Sequence, residues 1–177
     1  MSGIRRKCFI SYHHADQNEV DRFIQTYDER RDILIARAIG MSQEIIDSTN
    51  TDYVMRRIRE LYLQDSTVTI LLIGKCTWAR RYVDWEIQSS LRHGEYTIPN
   101  GLVGIVLPSA GKNPIPPNRL DINLPKDEKD GYAQWYWYPK SAGGLQNMID
   151  VAYKARTTKA NLIQNPRDRF QYNKQCP

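Results

Sequence analysis

The sequence predicts an α/β protein built on a three-layer, doubly wound, mostly parallel sheet, and two features carry that prediction. Val68, Ile70, Leu71, Leu72 and Ile73 form a β-branched, continuous apolar run that stops at Gly74. A strand covered by helices on both faces reads this way, whereas a half-exposed strand alternates. Runs of strand character then alternate with segments of helical period along most of the chain, as repeated βαβ units require.

Lys7–Tyr12 (KCFISY) reads as the first strand, ending at His13-His14. Asp16-Gln17-Asn18-Glu19 has capping-box spacing ahead of Val20, Phe23, Ile24 and Tyr27, which predicts the first helix. Ile33–Ile39 reads either as a second strand or as a helix, because Ala36 and Ala38 dilute its strand character. Asn50 or Thr51 caps a helix through Val54, Ile58, Leu61 and Tyr62, whose other face is rich in Arg. After the central strand, a helix capped by Thr77 runs to about Arg92, and Leu102–Pro108 is a further strand. From Pro108 to about Asp130 there is no periodicity and much Pro, Asn, Lys and Asp, which predicts a long surface excursion over 109–131. Tyr132–Tyr138 reads as a last edge strand, and Gly143-Gly144 precede a helix with Leu145, Met148, Ile149 and Ala152 on one side. The aromatics Trp135 to Tyr138 fit a core or edge strand, a pocket wall or an interface.

The bulk properties bound the function. With 177 residues, 25% charged and 41% hydrophobic, a single globular domain over 1–177 is expected. No apolar run approaches the roughly 18 residues of a membrane span, and the N-terminus lacks the pattern of a secretory leader, so a cytoplasmic protein without membrane association is expected. The net charge is +5, yet the basic residues are interspersed with twenty acidic ones and show no interleaved aromatics, so no nucleic-acid partner is expected. Cys8, Cys76 and Cys176 are odd in number and lack metal-ligand spacing, which predicts free thiols. The adjacent pair His13-His14 points two ways and makes a poor metal couple, so no metal is expected. Gly-rich phosphate loops, the GxSxG elbow and HExxH are absent from the sequence.

One carboxylate stands out. Val83, Ile87 and Leu91 recur at four-residue spacing and define the stripe that faces the sheet. At about 100° per residue, Glu86 lies about 60° from Val83, on the margin of that stripe, with Tyr82 one turn before it and Trp85 beside it. Glu86 is therefore either a solvated residue paired with Arg80 or Arg81, or a partly desolvated carboxylate reaching the cleft at the strand ends. His13 and His14 are in turn either ligand-binding or simple turn residues.

Taken together, CFISYHHAD (Cys8–Asp16), TVTILLIG (Thr67–Gly74) and CTWARRYVDWEI (Cys76–Ile87) resemble the TIR-like family, most closely the branch found in the Thoeris anti-phage system. The resemblance covers about residues 5–108 and leaves the edge strand, helix and tail of 132–177 unmatched. It implies a flavodoxin-like/TIR-like sheet and a catalytic glutamate four residues after an aromatic, here Glu86 after Tyr82; catalytic members usually carry Trp at the Tyr82 position. It further implies cleavage of NAD between nicotinamide and ribose, with NAD as substrate and no other cofactor, giving an ADP-ribose-derived signal, linear, cyclic or conjugated, that activates a separate effector after a phage-derived trigger. Homo-oligomers occur in such systems. The substrate-binding residues it implies are Phe9, Ser11, Tyr12, His13, His14, Asp16, Tyr82 and Trp85. Two other readings fit the same residues: a non-catalytic interaction module, and a hydrolase similar to nucleoside deoxyribosyltransferases.

Overall fold

A computed structural model describes residues 4–29, 34–37 and 49–177. Its strands are β1 (Arg6–Ser11), β2 (Leu34–Arg37), β3 (Val68–Ile73), β4 (Gly101–Val106) and β5 (Gln134–Tyr136), and its helices are α1 (Gln17–Ile24), α2 (Thr51–Ile58), α3 (Arg81–Ser90), α4 (Asn118–Asp121) and α5 (Ala142–Thr158). The strands form one sheet in the order β2-β1-β3-β4-β5, with every neighbouring pair parallel. This is the doubly wound α/β architecture expected from the alternation of periods.

All six residues of β3 are buried, and its side chains divide between the two faces. Val68, Ile70 and Leu72 join Cys8, Ile10, Val103 and Ile105 beneath Val20 and Phe23 of α1 and Leu145 and Ile149 of α5. Leu71 and Ile73 meet Val83 and Ile87 of α3 and Leu120 of α4 on the other face. Burying one such side chain stabilises by roughly 1.5–3 kcal/mol, so a one-residue register slip in β3 would forfeit most of the core. β4 lies close against α5: a Cβ at Gly101 would fall 2.1 Å from the Ala152 carbonyl oxygen, a separation only glycine permits.

Ile33–Ile39 resolves in favour of a strand, since Leu34–Arg37 pair with Arg6–Phe9. Ile33, Ala38, Ile39 and residues 40–48 lie outside the described residues. Asn50 caps α2 by accepting from Tyr53 N at 3.0 Å. Asn50→Ala is expected to lower stability by about 1 kcal/mol, read as a shift of the urea midpoint at unchanged m-value.

Two expectations are corrected. The segment 109–131 is not a surface excursion throughout. Arg119, Leu120, Asn123 and Leu124 are buried, because α4 closes the α3 face of the core. The cysteines are not all free: Cys76 and Cys176 form a disulfide across a separation of 100 residues, while Cys8 is a buried free thiol. The pairing follows from the tail, which returns along α3. Gln88 Nε2 donates to Pro166 O at 3.2 Å, Trp85 Nε1 to Phe170 O at 2.8 Å, and Lys174 N to Ala79 O at 2.8 Å. Every residue from Val83 to Ser90 is consequently buried, polar ones included. No helix among the described residues is long and apolar enough to cross a membrane.

Candidate active site

In a sheet of this order the chain departs from β1 in both directions, and folds of this kind bind ligands in a crevice at the carboxyl ends of the strands at that switch, here β1 and β3. β1 ends there in Ser11 and β3 is followed there by Gly74. α3 delivers Glu86 to this crevice, with its stripe Val83, Ile87 and Leu91 on the sheet and Ser90 Oγ 2.7 Å from Thr69 Oγ1. Ser11 Oγ donates to Glu86 Oε2. Only 8% of Glu86 is exposed, and burial pushes its carboxyl up to about 8, with the Ser11 hydrogen bond opposing.

The ion-pair reading of Glu86 does not hold. Arg80 Nη2 donates to Lys174 O at 2.8 Å and Arg81 Nη1 to Gln171 O at 3.3 Å, so both arginines clamp the tail. Among the described residues Glu86 takes part in no salt bridge. A buried carboxyl with one hydroxyl donor and no cation is costly to hold ionised, and such groups concentrate at functional sites.

Tyr12 is half-buried, and its hydroxyl donates to Gln17 Oε1 at 2.7 Å. Burial raises its phenol, that hydrogen bond opposes, and the nearby Glu86 raises it further. His13 is pushed down to about 4 by desolvation, then by His14 and Arg80, so it is neutral at pH 7 and offers a donor and an acceptor. His14 is exposed, its ring 4.6 Å from that of His13.

Asp16 and Thr77, expected as helix caps, are used otherwise. Asp16 accepts no capping bond; its carboxylate lies on Gly74, where a Cβ would come within 2.1 Å of Oδ2. Thr77 Oγ1 accepts from Gly74 N at 2.8 Å, locking the end of β3, and α3 starts only at Arg81. Burial raises the Asp16 carboxyl, Glu19 adds to this, and the Thr77 hydroxyl opposes it. Asp16 Oδ2 is buried without a hydrogen-bond partner.

Ser11, Tyr12 and Glu86 are thus brought together, and His13 and Asp16 follow on the turn beside them. Phe9 and Trp85, expected to line the cleft, belong to the core instead. They pack with Val54, Met55 and Ile58 of α2 at 2% and 3% exposure, because the tail closes over the indole edge. Tyr82 packs against the same cluster, partly buried, its ring 5.3 Å from that of Trp85 and edge-on to it. The places of Gln17, Gly74 and Thr77 at the site are not evident from the sequence. Gly74 was visible as a strand terminator, but nothing local marks it as a seat for Asp16. Among the described residues no group of three His, Cys, Asp or Glu side chains is arranged to hold a metal ion.

Residues 9–112 match the family model described as Thoeris protein ThsB, TIR-like domain. The chain belongs to this family. The matched span holds the whole crevice, from Phe9 of β1 through Glu86 of α3 to the end of β4, and stops short of α4 and the tail that cover α3. No individual curated protein matches the sequence. As a Thoeris-type TIR-like protein it is a component of an anti-phage system.

Proposed function

We propose that this Thoeris TIR-like protein cleaves NAD at the bond between nicotinamide and ribose and makes an ADP-ribose-derived signal. The observation that carries the reading is Glu86: a buried carboxyl without a cationic partner among the described residues, held by Ser11 at the β1/β3 strand ends. NAD brings the missing positive charge. Its nicotinamide is cationic when bound to ribose, and the C–N electron pair leaves with the ring as neutral nicotinamide, so no general acid is needed. Positive charge then develops on the sugar, where an ionised Glu86 offsets it and accepts from the ribose hydroxyls. A nucleophile bonds to the anomeric carbon: water or a hydroxyl then sheds its own proton, whereas an adenine ring nitrogen, which carries none, is neutralised by loss of a proton from the exocyclic amine. Water yields ADP-ribose, a hydroxyl or adenine nitrogen of the same molecule yields a cyclic isomer, and an outside nucleophile yields a conjugate.

In this reading Tyr12 and His13, which follow Ser11 in the chain, contact the substrate, whereas Tyr82 packs against the α2 cluster. The signal activates a separate effector in the cytoplasm after a phage-derived trigger, and self-association is one means by which the trigger acts. NAD is substrate, and no further cofactor is invoked.

Purified protein, or lysate of infected cells expressing it, is expected to release nicotinamide from NAD, and Glu86→Gln to lower the rate about 100- to 1,000-fold, as loss of a group acting on transition-state charge does. Because the ionised form is the active one, kcat/KM is expected to rise with pH up to about 8, where the free carboxyl titrates. Turnover retained by Glu86→Gln would remove the proposal, and release of base from deoxynucleosides in preference to NAD would replace the substrate.

A further inference from the structure

α3 runs against the strand direction, so its last turn emerges at the opposite end of the strands from Ser11, beside the starts of β3 and β4. Ser90 O there accepts from Asn100 N at 2.9 Å. The ends of α2 and α3 and the returning tail enclose a basin of about 570 Å³ whose wall carries Arg59, Arg92, His93, Arg167 and Arg169 and no carboxylate.

Among the described residues these cations are only weakly neutralised. Among the described residues Arg59, Arg92 and Arg167 form no ion pair. Glu60 pairs with Arg57 at 3.6 Å, and Arg169 donates to Gln88 Oε1 at 3.2 Å, with the fully exposed Asp52 only at 3.9 Å. Like charges so gathered oppose one another: the Arg59 guanidinium is pulled down by desolvation and then by Arg92, against a raising influence from Glu60. A neighbouring hollow of about 410 Å³ shares Arg59 and Arg92, carries Glu60 and Arg156 on its wall, and is lined by Ser89, 6% exposed, whose hydroxyl is buried without a hydrogen-bond partner among the described residues. Guanidinium forks suit phosphate oxygens, and both volumes fall in the range of about 300–1,000 Å³ typical of small-molecule sites.

We propose that this basin binds a nucleoside di- or triphosphate, with Arg59, Arg92, Arg167 and Arg169 on its phosphates and the hollow at Ser89 taking its nucleoside end. The lining holds no Phe, Tyr or Trp to stack successive bases, which favours a compact nucleotide over a nucleic-acid strand. The site stands apart from Glu86 and does not depend on the activity proposed for it.

Calorimetric titration of the full chain with ATP and with inorganic tripolyphosphate tests this. Both are expected to bind, more weakly at high salt, and Glu86→Gln is expected to leave both affinities unchanged. Arg59→Gln with Arg92→Gln is expected to weaken ATP about 100-fold, taking tenfold for each charge-assisted contact. Arg167→Gln changes only an exposed tail side chain and is expected to weaken ATP about tenfold, which keeps the test available should the double variant unfold. Absence of binding by both probes, wild-type ATP affinity in the folded Arg variants, loss of ATP binding in Glu86→Gln, or binding of a DNA duplex in place of ATP would each overturn the assignment.

Discussion

Arg119→Met is expected to destabilise the protein by about 3–5 kcal/mol in urea unfolding, because it strands a buried carboxylate. Arg119 Nε donates to Asp84 Oδ1 at 2.8 Å and Nη2 reaches Oδ2 at 3.3 Å, with the two side chains only 4% and 7% exposed. The remaining guanidinium protons go to Asn165 Oδ1 at 3.0 Å, Pro166 O at 2.8 Å and Asp168 O at 2.6 Å. Asp84 Oδ2 also accepts from Phe170 N at 3.0 Å. One guanidinium thus joins α4, α3 and the tail, and without it Asp84 keeps its burial and loses its cation. Amide exchange is expected to quicken from Asn165 to Phe170 and along α3. The double variant Asp84→Leu, Arg119→Met, which removes both charges, is expected to recover most of the loss, as buried pairs replaced by apolar side chains often do. A cost under about 1 kcal/mol for Arg119→Met alone would mean that solvent reaches Asp84.

Glu86 is expected to make the protein less stable as pH rises, the reverse of the usual carboxylate effect. Its folded value of about 8 lies above the ordinary 4.5, so the fold holds a proton that the unfolded chain releases. The contribution is complete below pH 4.5, declines through the window up to pH 8, and has then lost on the order of 4 kcal/mol at about 1.36 kcal/mol per pH unit. Asp16, also raised, acts with the same sign. His13, pushed down to about 4 from 6.5, acts oppositely and costs stability as pH falls below 6.5. The difference between wild type and Glu86→Gln isolates the one group, since glutamine stays neutral throughout. Unfolding free energies measured between pH 5 and 9 are expected to converge at the acid end and to favour the variant by several kcal/mol at the alkaline end. Parallel curves would show that Glu86 is solvated. The charge-offsetting role proposed for Glu86 would thus come at a cost to stability, the familiar opposition of stability and function.

Much of this was legible in the sequence. The unbroken run Val68–Ile73 implied a strand covered on both faces, and the stripe Val83, Ile87 and Leu91 oriented α3 and put Glu86 at its margin. Both rest on period and apolarity, properties that neighbouring residues express together. Glu86 is more deeply buried than a margin position implies, because its helix is covered from outside as well. That cover is polar in composition: Gln88, Asp84, Arg119, Asn165 and the backbone of 166–170 satisfy one another's hydrogen bonds across 35 to 86 residues of chain. Such contacts leave no periodic trace, so the tail and the buried part of 109–131 read as surface. The disulfide between Cys76 and Cys176 escaped for the same reason.

Asp16 and Thr77 show the limit at closer range. Each has the chemistry of a helix cap, and each is drawn instead to Gly74, since the end of β3 offers an unpaired N–H and the bare glycine a place for a carboxylate. The sequence by itself determined the α/β order, the faces of β3 and α3, and the carboxylate at the strand ends, all from the local alternation of apolar and polar residues. Only the tertiary structure decided that Glu86 meets Ser11 and, among the described residues, no arginine, that Phe9 and Trp85 are core, and that arginines just beyond α2 and α3 converge with those of the tail, because long-range packing sets which polar groups find partners and which are left without.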